Sequence, residues 1–133
     1  KLVIKNKKFK LKKKDVFLAV KNFEINTIKA IETSLKHKVN EFFIISLFFD
    51  DKYKDYDEME KYRFSLYKET IEKIRDRYKP YVKIIDLEEK FKNYDKKELL
   101  CDFMHQTLKG NIIQSEYIFK ELRKKSTSIN ELD

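Results

Sequence analysis

Apolar residues along this chain fall into three helical stretches and two short continuous runs. Val16, Val20, Phe23, Ile28, Ile31 and Leu35 recur at near-helical spacing as far as His37, which predicts a first helix with Asp15 placed to cap it. Val16 to Val20 also suits a short strand, so the start of that helix stays open. Phe42-Phe43-Ile44-Ile45-Ser46-Leu47-Phe48 is an unbroken run of β-formers, the pattern of a parallel strand covered on both faces. A charged loop from Asp50 to Asp57 follows. Met59 to Tyr78 then predicts a long amphipathic helix, with Phe64, Tyr67, Ile71, Ile74 and Tyr78 on its buried face and Glu69 paired to Lys73 on the other. Pro80 stands where that helix should stop. Tyr81-Val82-Lys83-Ile84-Ile85 reads as a second strand ending at Asp86. Residues 87–101 are polar with some helical character. Leu108 to Lys125 predicts a last helix with Ile112, Ile113, Phe119 and Leu122 facing inward, and Ser126 to Asp133 is expected to fray. Strands alternating with helices imply a parallel sheet with right-handed crossovers.

Composition narrows the class. A length of 133 residues, 41% hydrophobic and 14% aromatic, suits one domain with a packed core and argues against a disordered chain. No apolar run approaches the roughly 18 residues of a membrane span. The basic start is not followed by an apolar segment and a small-residue cleavage site, so no secretory signal is read. The single cysteine, Cys101, excludes an internal disulfide and a cysteine-rich zinc site, and it fits a reducing compartment such as the cytoplasm.

The charge is unevenly placed. The chain has 31 basic and 23 acidic residues, and eight of the lysines lie in residues 1–14, where there is no acid. With those set aside, 23 basic residues balance 23 acidic ones. The organisation expected is therefore a basic segment over 1–14, the body of the domain over 15–125 and a tail over 126–133. A basic arm suits nucleic acid or another polyanion. A solvated loop or hairpin accounts for it better, because a nucleic-acid module usually spreads its basic residues over the folded surface.

The chemistry concentrates near the C-terminus, in Asp102-Phe103-Met104-His105-Gln106-Thr107-Leu108-Lys109-Gly110-Asn111. A carboxylate three residues before an imidazole is placed to fix its tautomer and orientation, and the imidazole is then able to take a proton from a hydroxyl. The chain's only glycine and a capping threonine sit where the last helix opens. A strand ending Ile84-Ile85-Asp86-Leu87, a loop, and then Asp-x-x-His-x-Thr-x-x-Gly-Asn at the head of the terminal helix resembles the C-terminal block of the SGNH/GDSL hydrolases. Upstream, Phe23 to Ile28 resembles the family's helix with a buried asparagine, here Asn26. Phe42 to Phe49 resembles the strand after it, and residues 58–85 the helix and strand leading to the Asp-x-x-His loop.

The resemblance implies a three-layer α/β/α, flavodoxin-like fold with a parallel sheet, present here as its C-terminal part. It implies acyl transfer on an ester, with Asp102 and His105 as catalytic residues, a small-molecule or glycan ester as substrate and no cofactor. The family's serine nucleophile lies in a Gly-Asp-Ser block, and its oxyanion donors in two further glycine-bearing blocks. With Gly110 as the sole glycine and Lys1 as first residue, the expectation is that those blocks precede this sequence. The alternative is a non-catalytic basic module contacting nucleic acid or another polyanion.

Other residues carry less. His37, between Lys36 and Lys38 at a helix end, reads as a surface histidine. Cys101 reads as a small residue packing the loop base, with its thiol turned away from the imidazole. Ser46 and Ser65 lack the sharp turn that exposes a nucleophile. Asp50, Asp51, Asp55 and Asp57 do not have the spacing of a calcium loop. Tyr53, Tyr56 and Tyr62 suit either the wall of a cleft or the cover of a helix. Asp86 reads as the end of a strand or the cap of a turn.

Overall fold

A computed structural model describes residues 12–53 and 57–127. Two parallel strands lie among helices: α1 (Lys13–Lys36), β1 (Phe42–Ile45), α2 (Glu58–Arg77), β2 (Val82–Ile85), the short α3 (Leu87–Phe91) and α4 (Lys96–Leu99), and α5 (Leu108–Thr127). Lys12 is the N-cap of α1, and Asp15 reaches back to its N–H at 3.3 Å, so Asp15 acts from the first turn and not as the cap itself. Val16 and Val20 are buried on α1, which settles that stretch as helix. His37 closes α1, and Lys38 turns through left-handed backbone (φ 56°) into β1. Asp57 caps α2 by accepting from the N–H groups of Met59 and Glu60.

β1 and β2 pair in register, Phe42 opposite Val82 and Ile45 opposite Ile85, with α2 as the crossover between them. Successive side chains point to opposite faces. Ile44 and Val82 join Ile31 of α1 and Ile74 of α2 in one cluster. Ile85 belongs to a second cluster with Phe48, Leu87, Phe91, Leu99 and Leu100, against which Phe43 and the α5 residues Ile113, Tyr117 and Ile118 pack. Tyr78 donates to Glu32 at 3.1 Å and ties α2 to α1. Ion pairs on α2 include Glu58 with Lys61 and Glu60 with Arg63, each three residues apart, and the adjacent Arg75 and Asp76, while the expected Glu69–Lys73 pair is not found among the described residues.

Four expectations are overturned. The flavodoxin-like, three-layer α/β/α fold is not found: helix accounts for 64% of the described residues, and the sheet has two strands. Only two apolar runs are long enough to make strands, and residues 87–101 form two short helices capped by Asp86 and Asp95, with no third strand. β1 is also shorter than its apolar run. It ends at Ile45, after which the Ser46 hydroxyl donates to Asp86 at 3.0 Å and accepts the N–H of Leu87. Finally, Ile112, Phe119 and Leu122 face outward at 51%, 61% and 36% exposure, while Ile113 packs inward; Asn26 is exposed, not buried. Residues 1–11 of the basic segment, Tyr56 and residues 128–133 of the expected tail lie outside the described residues. Among the described helices none is long and apolar enough to cross a membrane.

Candidate active site

The Asp102 loop is built on a closed neck. α4 ends at Leu99, whose carbonyl accepts the N–H of Thr107 at 2.9 Å. Leu100 and Gln106 form an antiparallel bridge, and Cys101 N–H donates to the His105 carbonyl at 2.8 Å. The Thr107 hydroxyl donates to the Glu98 carbonyl at 2.8 Å and accepts from Gly110 N–H at 3.0 Å, so it caps α5 as expected. Gly110 lies so close to α4 that a Cβ there would stand 2.1 Å from the Leu99 carbonyl oxygen. Only glycine lets the two helices approach this far.

Within the neck, Asp102 organises the turn. Its Oδ1 accepts from the N–H groups of Met104 (2.9 Å) and His105 (2.7 Å), the geometry that makes aspartate a turn former. Its Oδ2 lies 2.6 Å from His105 Nδ1. The two side chains the sequence picks out therefore meet. The His105 N–H, then the Met104 N–H, then the imidazole hold the Asp102 carboxyl below the usual range, at about 2. A carboxylate at Nδ1 favours the tautomer with its proton there, which leaves the Nε2 lone pair free as a base. Nε2 has no partner among the described residues, and the His105 side chain is 70% exposed. Cys101 directs its thiol to the His105 carbonyl at 3.2 Å and away from the ring, as expected.

The loop is fixed to the exit of β1, where Asp50 N–H donates to the Phe103 carbonyl at 2.9 Å. It also contributes to two concavities. Cys101, Asp102 and Thr107 line a cleft of about 860 Å³ of mixed polar and apolar character with Tyr53, Tyr94 and several lysines. Met104 lines a mainly apolar groove of about 330 Å³ with Phe23, Phe49, Phe64 and Tyr67. Arg63 edges that groove, its guanidinium 4.0 Å from the Met104 sulfur and 5.0 Å from the Phe64 ring centre.

Tyr53 therefore proves to be a cleft residue, while Tyr62 lies beneath the Lys13 ammonium against α1. Ser46 is engaged with Asp86 and Leu87, and no serine hydroxyl among the described residues bonds His105. His37 is exposed at the end of α1. No group of three histidine, cysteine or acidic side chains among the described residues is arranged to hold a metal. Sequence reasoning missed Lys52, Tyr94 and Lys97 on the cleft and Arg63 and Met104 on the groove. The available signal was the pair of capping aspartates, Asp86 and Asp95, which mark two helix starts in residues 87–101 and put Tyr94 in the turn between them. Comparison with protein-family models, curated proteins and solved structures finds no match.

Proposed function

We propose that Asp102 and His105 are the acid–base pair of an SGNH-type ester hydrolase. The supporting observation is the 2.6 Å contact between Asp102 Oδ2 and His105 Nδ1, with Nε2 left open, on a loop that helps form both a cleft of mixed lining and a mainly apolar groove. An ester has the same two-sided character: an apolar acyl part suits the groove past Met104, and a hydroxyl-rich alcohol part suits the cleft beside Asp102.

The chemistry follows from the tautomer. His105 Nε2 removes the proton of an attacking hydroxyl, which in the family resembled belongs to a serine. That oxygen adds to the ester carbonyl. Asp102 stabilises the imidazolium without taking its proton. The imidazolium then gives the proton to the departing alcohol as the carbon–oxygen bond breaks. Water, deprotonated by the same nitrogen, releases the acyl group as a carboxylic acid.

The test is hydrolysis of p-nitrophenyl acetate by the natural polypeptide that contains these residues. His105→Ala is expected to lower turnover by roughly 10³-fold or more, with kcat and kcat/KM falling together. Unchanged turnover would overturn the reading. Asp102→Asn is expected to lose rate as well, because an amide favours the wrong imidazole tautomer.

A further inference from the structure

We propose that the cleft beside Asp102 binds an acidic saccharide, so that the ester acted on is an O-acyl group of an anionic sugar chain. The ester half of this statement rests on the hydrolase reading; the binding half does not.

The cleft's acids are already committed. Asp50 accepts the N–H of Lys52 at 3.1 Å, Asp95 accepts the N–H of Lys97 at 3.0 Å, and Asp102 holds its own loop and His105. Two of the cleft's lysines are paired outward, Lys96 to Asp51 at 3.2 Å and Lys92 to Glu89. Lys52 and Lys97 form no ion pair among the described residues, yet both line the cleft, one on the turn after β1 and one on α4. Their ammonium groups are the cleft's cations left without an ion-pair partner among the described residues, beside the carboxylates of Asp50, Asp95 and Asp102, which keep their charge.

Two aromatic rings, Tyr53 and Tyr94, line the same cleft. Tyr94 is 46% exposed, and an edge-on contact with Phe91, 5.2 Å between ring centres, keeps it in place. A volume of about 860 Å³ with a mixed polar lining is large for a bare anion and suited to a hydroxyl-bearing chain of rings. A polyphosphate is the poorer fit, since the only glycine is Gly110 at the head of α5 and no glycine-rich backbone cradle faces the cleft. Single carboxylates spaced along a sugar chain match two lysines from separate segments.

The experiment is calorimetric titration of the full chain with a galacturonic acid tetramer and with a neutral galactose tetramer. The acidic tetramer is expected to bind preferentially, less tightly as salt rises, and roughly tenfold more weakly to the Lys52→Ala/Lys97→Ala double variant. Tyr94→Ala is expected to weaken it too, and circular dichroism checks that both variants fold. Equal binding of the two tetramers would overturn the proposal. So would unchanged affinity in the double variant, which would assign the binding to the lysine-rich segment 1–14, or stronger binding of an oligonucleotide at the same site. His105→Ala is expected to bind the acidic tetramer like the parent chain. Lost ester turnover with retained binding in that variant supports both readings. Lost turnover in a chain that never binds the tetramer removes the saccharide and leaves the hydrolase. Binding in a chain whose turnover ignores His105 does the reverse.

Discussion

Asp102 does two jobs with two oxygens. One oxygen takes two backbone N–H groups and shapes the turn, and the other takes the imidazole. The consequence can be read against pH. The carboxyl ionises at the ordinary 3.8 when the chain is unfolded and at about 2 here, so its contribution to the loop is fully present above roughly pH 4 and is lost as pH falls through about 2. Acid titration followed by the Asp102 carboxyl carbon resonance and the Met104 and His105 amide protons is expected to show all three moving together near pH 2. A carboxyl that titrates near 4 without disturbing those amides would contradict this account. The pair itself was legible in the sequence because both members lie within one turn. The cleft lysines were not, since nothing local distinguishes Lys52 and Lys97 from the other lysines. In the proposed saccharide site they matter because they line the cleft and form no ion pair among the described residues.

Among the elements, α5 shows what a hydrophobic pattern leaves undecided. Ile112, Phe119 and Leu122 form one apolar face, and Ile113, Tyr117 and Ile118 form another, so a period of 3.6 residues fits both. Gly110 decides between them, because its side of the helix is the one able to rest on the Leu99 carbonyl. Gly110→Ala is therefore expected to destabilise the protein by about 1–3 kcal/mol, more than the roughly 1 kcal/mol that alanine brings to a helix interior. Urea denaturation measures the difference, and a variant more stable than the parent would overturn the argument. The long helices α1 and α2 and both strands were legible, since strong periodicity and strand-length apolar runs coincide there with capping or breaking residues. α3 and α4 were legible only as vague helical character, being too short for periodicity to identify.

For the molecule as a whole, two clusters share a single narrow sheet. Ile31 belongs to one and Phe91 to the other, and each is almost fully buried. Ile31→Ala is expected to cost about 2–5 kcal/mol and Phe91→Ala about 3–5. Because adjacent residues of the same strands feed both clusters, each variant is expected to unfold in one transition, with far-ultraviolet dichroism and tyrosine fluorescence agreeing on the midpoint. Separate midpoints would mean that the faces melt independently. The expected doubly wound sheet did not materialise because that expectation extended a local likeness around residues 84–111 to the whole architecture, while among the described residues only two segments pair as strands.

The neck beneath the Asp102 loop has one further consequence. Backbone and capping bonds between Glu98 and Asn111 fix the spacing of the acid and the base, whereas Lys52, Tyr53 and Tyr94 reach the cleft from other segments. Under the proposed function, descendants of this sequence are free to change Lys52, Tyr53 or Tyr94, and with them what the cleft admits, while the Asp102–His105 loop passes on intact.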